Sequence, residues 1–373
     1  MRALCRSRAP GLLLRLLGSR LRRGLCIVAA SPKMLRPDII KLSLASAPEL
    51  SYLRTQPAPR AESMTYPMKK TWLCVLMAVA VSAVAAQDLT VASYNVRYRN
   101  SRDEKEGNGW ERRCPWVCDL IAFEGFDIFG AQEVLHEQLE QMCARLPEYA
   151  YIGVGRDDGL TQGEYAPIFY KPDRIRLLAK GHFWLSETPG RPSVGWDAAL
   201  PRICTWGRFR DKRTGRRFWF LNLHMDHEGV RARAESARLV VHWIEDMCDP
   251  DEWVVLTGDF NVDQRDEIYG IFVSSDRLVD SYGAAERRYA PNGTFNAFDA
   301  GAKTESRIDH VFVSPVFRVM NYGVLTETFR SQSKASGERL RSGNFPKEVS
   351  YARDEVRLPS DHFPVVVKLN YDR

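Results

Sequence analysis

The sequence lacks several features that would place it outside the ordinary globular proteins. It contains no internal repeat of solenoid or propeller length and no coiled-coil, collagen-like or low-complexity stretch. These absences exclude the repeat, fibrous and compositionally disordered classes. At 373 residues, the chain is long enough for one large α/β sandwich or for two smaller domains.

Acidic residues are also missing from the start of the chain, where none precedes Asp38. Residues 1–86 carry 14 basic and 3 acidic side chains, so the rest of the chain has a net charge of −5 although the whole chain carries +6. The body of the protein is therefore mildly acidic and lacks the broad positive field that long nucleic acids favour. This balance argues weakly for a small or locally bound substrate.

The basic N-terminal region contains a pattern typical of a secretory signal peptide. Two lysines follow Met68, an apolar run spans residues 72–84, and cleavage is predicted near Ala86–Gln87. The run is too short to span a bilayer comfortably, although an uncleaved N-terminal anchor is the alternative. We expect an exported protein, periplasmic or secreted, with a signal peptide over residues 68–86. Residues 1–67 are either a non-native extension upstream of the true start or a targeting extension.

Cysteines are too few and too irregular for a disulfide framework. Beyond residue 86 there are five, an odd number, at Cys114, Cys118, Cys143, Cys204 and Cys248. A domain of this size has enough core without such cross-links. Cys114 and Cys118 either pair or lie on one helix face. No second Cys/His pair at finger spacing accompanies them, so a zinc site is not expected there.

Beyond the leader, apolar strands alternate with a few amphipathic helices. Strands are predicted at residues 89–96, 127–132, 149–154, 166–170, 175–185, 205–210, 217–225, 253–257, 308–313 and 364–369, and helices at 112–123, 135–146 and 230–247. A polar stretch over 330–357 is predicted to be a long surface loop. About ten strands with few helices predict two stacked mixed sheets flanked by helices in one domain over residues 87–373.

Polar residues interrupt the apolar strands at their ends, which is a way to aim functional groups from rigid elements. A single such residue usually caps a turn, but six interruptions form a chemically coherent set. The set comprises Asn95, Glu133, His224, Asp226, His227, Asp259, Asn261, Arg307, Asp309, Asp361 and His362. His182, by contrast, has no partner in the sequence and is interpreted as structural.

These residue types are the ones that metal-assisted phosphoester hydrolysis requires. A hard cation such as Mg²⁺ needs one or two carboxylates, which Glu133 and Asp361 supply with Asn95 nearby. Water is then activated by a carboxylate such as Asp259, or by a His–Asp pair such as His362 with Asp309.

Two further groups complete the predicted chemistry. A second imidazole, His224, is expected to donate to a non-bridging phosphate oxygen, and Asn261 to orient the phosphate or the water.

Six motifs occur in an order that resembles the endonuclease/exonuclease/phosphatase superfamily, the group of deoxyribonuclease I. They are SYNVR (93–97), GAQE (130–133), LHMDH (223–227), GDFN (258–261), RIDHVFV (307–313) and SDHFPV (360–365). Each motif is weak alone, and the ordered set covers nearly all of the chain after the leader. The resemblance implies a four-layer α/β sandwich with its site at one edge of the two sheets.

The resemblance also implies roles by position. Glu133 is implied as the main Mg²⁺ (or Mn²⁺) ligand, with Asn95 beside it and Asp361 as a second acid on the metal side. Asp259 is implied as the residue that positions or activates water, and Asn261 as its phosphate-orienting neighbour. The implied catalytic imidazoles are His362, steered by Asp309, and His224, facing the phosphate.

Within the superfamily the chain resembles an exported bacterial branch and, more distantly, nocturnin-like deadenylases. Segments GVGRDDG (153–159), GEYAPIFY (163–170) and GWDAALPRICTW (195–206) carry this likeness. They suggest substrate contacts by Arg156, in a loop that is otherwise a hairpin turn, and by Arg202 in a pocket lined by Trp196 and Trp206, which otherwise pack in the core. Asp226 and His227 go beyond the minimal motif and are predicted either to contact substrate or to support the residues that do.

The predicted function is a divalent-metal-dependent phosphoester hydrolase acting on nucleic acid or on a small phosphorylated molecule. The family's breadth favours a phosphodiesterase or 3′–5′ exonuclease, whereas the acidic body favours a phosphatase of sugar, inositol or lipid head-group phosphates. A catalytically inactive binding module is the remaining alternative. No stable membrane span is expected after cleavage, and protein partners are not predicted.

Overall fold

The computed structural model describes residues 88–332, 339–340, 351–352 and 354–371. The predicted extension over residues 1–67 and the predicted signal peptide lie outside the described residues. Among the described helices, none combines the length and apolarity that crossing a membrane requires.

Two large sheets carry most of the strands. The first sheet has seven strands: β1 (Asp88–Asn95), β2 (Ile128–Gln132), β3 (Ala150–Ile152), β4 (Ile168–Tyr170), β10 (Arg287–Tyr289), β12 (Arg318–Val324) and β17 (Val365–Asn370). The second has six strands: β5 (Ile175–Trp184), β6 (Ile203–Asp211), β7 (Arg217–His224), β8 (Trp253–Asp259), β9 (Val279–Asp280) and β11 (Asp309–Val313). Neighbouring strands follow the order β10-β12-β17-β1-β2-β4-β3 in the first sheet and β5-β6-β7-β8-β11-β9 in the second.

Both sheets are mixed. Strands β1 and β2 run parallel, as do β7 and β8, while β17 pairs antiparallel with β1 and β11 pairs antiparallel with β8. The central strands read as nearly continuous apolar runs because both of their faces are buried. Strand β2 is buried at every position.

Helices cover the outer faces of the two sheets. They are α1 (Ser101–Lys105), α2 (Trp110–Glu124), α3 (His136–Arg145), α4 (Val230–Met247), α5 (Glu267–Val273) and α6 (Ser281–Ala284). One apolar cluster fills the space between the sheets, a second joins α4 and α5 to the six-stranded sheet, and a third joins α2 and α3 to the seven-stranded sheet. The predicted four-layer α/β sandwich is therefore confirmed.

A buried polar network crosses between the sheets beneath the site. The Asn222 amide donates to the backbone oxygens of Ala131 (2.7 Å) and Pro167 (3.0 Å) and accepts from the Gln132 amide at 2.6 Å. Gly130 permits this approach, because a Cβ there would lie 2.2 Å from Asn222 Oδ1. The network fixes one sheet against the other close to the ends of β1, β2, β7 and β8.

Two sequence-based expectations differ from the structure. The stretch predicted as a long loop contains short paired strands in its described parts: β13 (Phe329–Ser331) with β16 (Glu355–Arg357), and β14 (Arg339–Leu340) with β15 (Tyr351–Ala352). Strands of two or three residues are too short to show the alternation that marks a strand in sequence. Cys114 and Cys118 are both free, on one face of α2, so the disulfide alternative is wrong.

Candidate active site

Strand register brings three of the predicted residues side by side. His224 on β7 is level with Asp259 on β8, and Asp259 is level with Asp309 on β11. Residues in register on adjacent strands point to the same side of a sheet. In the other sheet Asn95 ends β1 beside the end of β2, and Glu133 follows directly.

His362 and Asp309 form a buried hydrogen-bonded pair. His362 Nδ1 lies 2.8 Å from Asp309 Oδ2, and His362 Nε2 lies 3.7 Å from Asp259 Oδ2. Burial by itself lowers the pKa of His362, but the Asp309 and Asp259 carboxylates outweigh it and hold that pKa well above its usual value. His362 is therefore a cation aimed at Asp259.

His224 lies on the other side of Asp259 and has the opposite protonation preference. Its Nε2 is 3.6 Å from Asp259 Oδ2 and 3.3 Å from the Asn261 amide nitrogen. Burial lowers the pKa of His224 well below its usual value, and the nearby Arg202 and Arg156 guanidinium groups lower it further. A neutral imidazole and an imidazolium thus flank one carboxylate.

Asn95 links the acids rather than offering an oxygen to a metal. Its amide nitrogen donates to Glu133 Oε1 (3.0 Å) and to Asp259 Oδ2 (2.9 Å), while its oxygen accepts from the backbone N–H of Arg97 (3.0 Å). In this orientation the Asn95 N–H₂ donates to both acids, whereas a cation would be coordinated by the amide oxygen, so the metal-ligand role of Asn95 stays a prediction.

The acidic side of the site fits a hard divalent cation. In the part of the chain that the structure describes, Glu133, His224 and Asp259 bring one ligand atom each within 4.8 Å of one another, as do Asp259, Asp309 and His362. Burial, followed by repulsion from Asp309, raises the pKa of Asp259 to about 7. A divalent cation would relieve this crowding of carboxylates, and oxygen ligands suit Mg²⁺. Because Asp309 is already engaged by His362, the Glu133 side fits a cation better.

Backbone strain marks the metal side of the site. Glu133 has φ 61°, Asn261 φ 51° and Arg97 φ 59°, all in the left-handed region that non-glycine residues rarely adopt. Such strain persists where the surrounding structure enforces it, and it is concentrated at functional sites.

Arg97 was not singled out by the sequence analysis. Its Nη1 lies 3.5 Å from Asp361 Oδ2 and 3.8 Å from Glu133 Oε2, and its Nε donates to Asp103 at 2.9 Å. It therefore holds the two predicted metal-side acids together. The only sequence signal was its place at the end of the SYNVR motif.

Glu164 is a second functional residue that the sequence analysis missed. Its carboxylate accepts two hydrogen bonds from Arg156, at 2.8 and 2.9 Å, and lies 3.7 Å from His224 Nδ1. Burial and the nearby Glu133 carboxylate raise the pKa of Glu164 to about 7. Arg156 does not line the main cavity and holds Glu164 in place, so the substrate contact suggested for Arg156 stays a prediction. In the sequence, the only signal for Glu164 was its place as the second residue of the GEYAPIFY segment (163–170).

Arg202 is held by the other two predicted substrate contacts. Its Nε lies 3.1 Å from Asp226 Oδ2, and its Nη2 lies 2.8 Å from His227 Nδ1. Asp226 also accepts the backbone N–H groups of Ala199, Glu228 and Gly229. It does not line the cavity, so it supports Arg202 rather than contacting substrate.

The predicted tryptophan-lined pocket is wrong. Trp206 packs against Trp219 and Trp243, with ring centroids 5.6 and 5.3 Å away. Neither Trp206 nor Trp196 lines the cavity.

One cavity of about 540 Å³ joins these groups. It is lined by Arg97, Tyr98, Arg102, Asp103, Glu106, Glu133, Glu164, Leu200, Arg202, His224, His227, Asp259, Asn261, Phe295, Ala297, Phe298, Ile308, Asp361 and His362. The loop that carries Phe295 and Phe298 was not predicted as part of the site. Its TFNAF sequence contains no charged residue and gave no chemical signal.

Comparisons with known proteins place these residues in a known family. The model of the endonuclease/exonuclease/phosphatase family matches residues 92–362, which include every residue of the site described above. An uncharacterized protein of Acanthamoeba polyphaga mimivirus is 28% identical over 269 residues, covering 69% of this chain and 91% of the viral protein.

Solved structures are similar over the same region. A Bacteroides thetaiotaomicron protein of the endonuclease/exonuclease/phosphatase family is 51% identical, covers 76% of this chain and 98% of its own, and has a TM-score of 0.71. A mannosyl-6-phosphatase of Bacteroides thetaiotaomicron is 52% identical, covers 75% of this chain and 99% of its own, and has a TM-score of 0.69. The catalytic domain of human nocturnin shares 17% identity at a TM-score of 0.53, a likeness of fold alone.

Proposed function

This chain belongs to the endonuclease/exonuclease/phosphatase family, and from that premise we propose that it is a magnesium-dependent phosphatase of small phosphorylated sugars. Members of the family are metal-dependent phosphoester hydrolases, so the chain is an enzyme that cleaves phosphoesters. The choice of magnesium rests on the oxygen-rich set of acids around Glu133.

The observation that carries the substrate class is the 52% identity to a mannosyl-6-phosphatase over 99% of that protein. Two properties of this chain agree with it. The site is a bounded cavity of about 540 Å³, a size typical of small-molecule sites. The chain beyond residue 86 is acidic, which does not favour a long polyanion.

The geometry supports hydrolysis by a positioned water. Asp259 is poised to accept the proton of a water that attacks phosphorus, because its pKa of about 7 lies near neutral pH. The cationic His362 and the neutral His224 lie on either side of Asp259. His362 Nε2 can donate to a phosphate oxygen, whereas His224 Nε2 accepts from the Asn261 amide and its Nδ1 is left as the donor. Bound at Glu133 and Asp361, Mg²⁺ would offset charge on the phosphate and on the leaving oxygen.

The proposal is tested by phosphate release from mannose 6-phosphate with Mg²⁺. Glu133→Gln and His362→Ala should each lower kcat/KM by at least about a hundredfold. His242, a solvent-facing histidine on α4, provides the matched control as His242→Ala, which should retain full activity. Full turnover in both site variants would refute the assignment of the active site.

The nuclease alternative is distinguished by substrate and by salt. A sugar phosphatase should cleave mannose 6-phosphate far faster than an oligonucleotide, with little salt dependence. A nuclease acting on long strands should show the reverse preference, and its affinity should fall steeply with salt.

We also propose that the mature enzyme is exported. The support is the signal-peptide pattern that begins at Met68 and ends near Ala86–Gln87. Expression in a bacterial host followed by N-terminal sequencing should give a mature protein that starts close to Gln87 and is recovered from outside the cytoplasm. A cytoplasmic product with an intact leader would contradict export.

A further inference from the structure

The segment Thr294–Phe298 is tied directly to the catalytic residues. Thr294 Oγ1 accepts the backbone N–H groups of Ile308 (2.9 Å) and Asp309 (3.0 Å). The backbone N–H of Asn296 donates to the Asp361 carbonyl at 2.8 Å. The segment is therefore held in a fixed position beside the active site.

Phe295 lies in this segment, and its aromatic side chain is partly exposed to solvent, which is unfavourable for an apolar group. Its side chain is 43% exposed and lines the catalytic cavity, and its ring lies 5.1 Å from that of His362 at a steep angle of 68°. Further along the segment, Ala297 and Phe298 have φ values of 54° and 61°, in the left-handed region. This strained conformation persists because the surrounding contacts hold the loop in place. A partly exposed apolar ring thus lines a polar cavity.

Arg202 lines the same cavity and has an unused hydrogen-bond donor. Only 3% of the residue is exposed, and among the described residues its Nη1 has no hydrogen-bond partner. Its other nitrogens are engaged by Asp226 and His227. A buried donor without a partner costs about 1–3 kcal/mol, so a group that satisfies it should bind well.

His227 adds a second donor beside Arg202. Arginine only donates, so His227 Nδ1 must accept from Arg202 Nη2. The proton of the neutral ring is then on Nε2. This nitrogen lies 3.5 Å from the exposed Glu228 carboxylate, and half of the His227 side chain is exposed where it lines the cavity, so a ligand hydroxyl can compete with Glu228 for the N–H.

We propose that Phe295, Arg202 and His227 form a subsite for the hexose ring of the substrate. The inference rests on the proposed function and deepens it. A pyranose presents an apolar C–H face, which packs on an aromatic ring, and a rim of hydroxyl groups, which accept hydrogen bonds. Phe295 matches the face, and the Arg202 and His227 donors match the rim, while the phosphate lies between His224 and His362.

The experiment compares two phosphate esters of primary alcohols, mannose 6-phosphate with a ring and glycerol 3-phosphate without one. Phe295→Ala should raise KM for mannose 6-phosphate by about tenfold, whereas KM for glycerol 3-phosphate should change by less than about twofold. His227→Ala should act in the same direction, and because His227 is a surface residue this variant should fold normally. Phe123→Ala is the matched control, since Phe123 is 87% exposed and does not line the cavity.

Equal losses for both esters would overturn the subsite while leaving the phosphatase proposal intact. A wild-type enzyme that releases phosphate from neither ester would refute the proposed function instead.

Binding is then measured by saturation-transfer NMR in the isosteric Asp259→Asn background with Mg²⁺ and mannose 6-phosphate. Saturation of the hexose ring protons that disappears with Phe295→Ala would support the subsite, and its absence in both proteins would overturn it.

Discussion

At the residue scale, the two histidines on either side of Asp259 have pKa values shifted in opposite directions. The Asp309 carboxylate favours the protonated form of His362, whereas His224 has two arginines near it and no carboxylate closer than 3.6 Å. The difference follows from neighbours alone, since both rings are buried.

Replacing Asp309 with asparagine should test this arrangement. Without the carboxylate, the pKa of His362 falls, because burial then opposes its charged form with less compensation. The imidazolium is therefore lost at a lower pH, and the alkaline limb of the pH–kcat profile should move to lower pH. We expect kcat at neutral pH to fall by about a hundredfold or more.

The measurement is a pH–rate profile of Asp309→Asn beside that of Asp246→Asn, a surface acid on α4. The control profile should match the wild type. An unshifted alkaline limb in Asp309→Asn would contradict the pairing as the source of the charge on His362.

At the scale of elements, the two sheets lie close together at Gly130. A Cβ added there would lie 2.2 Å from Asn222 Oδ1 and 2.3 Å from Thr257 Oγ1, distances that real Cβ atoms do not show. Because Asn222 is held by the buried network between the sheets, it cannot move without losing hydrogen bonds.

Gly130→Ala should therefore lower the free energy of unfolding by about 3 kcal/mol. Gly270 is the matched control, since it lies within α5 and a Cβ there would meet nothing within 4 Å. Gly270→Ala should raise stability by about 0.5–1 kcal/mol, because alanine favours a helix over glycine. Urea denaturation of both variants measures the difference, and a neutral Gly130→Ala would show that the sheets can separate there.

At the scale of the whole molecule, the crowded acids predict that metal binding and folding are linked. A cation that binds only the folded state at a hundredfold excess over its Kd adds about 2.7 kcal/mol of stability. For a domain of this size, this corresponds to a rise in Tm of roughly 5 °C. Mg²⁺ added to EDTA-treated protein should produce such a rise.

Glu133→Gln should abolish most of that rise, while His242→Ala should retain it. Differential scanning calorimetry with and without EDTA checks the prediction. An equal rise in Glu133→Gln would place the cation elsewhere in the molecule.

Sequence reasoning was most successful where a residue's position follows from its own strand. His224, Asp259 and Asp309 were identified because each interrupts an apolar strand, and the register then aligned them. It was less informative where a role depends on the partner of a side chain. Arg156 and Asp226 were each given a substrate contact as one of two alternatives, and the structure holds both in buried ion pairs.

By itself, the sequence determined the layered architecture and the chemical composition of the site, because strand periodicity and ordered motifs are local properties of the chain. Only the tertiary structure decided which groups face the cavity. Asn95 turns its nitrogen towards two acids, Glu164 and Arg97 join the site, and Phe295 remains exposed. These outcomes depend on contacts between segments far apart in the chain, such as the hydrogen bond between Ser360 and Asn95, which are 265 residues apart. Local pattern does not encode side-chain direction over such distances.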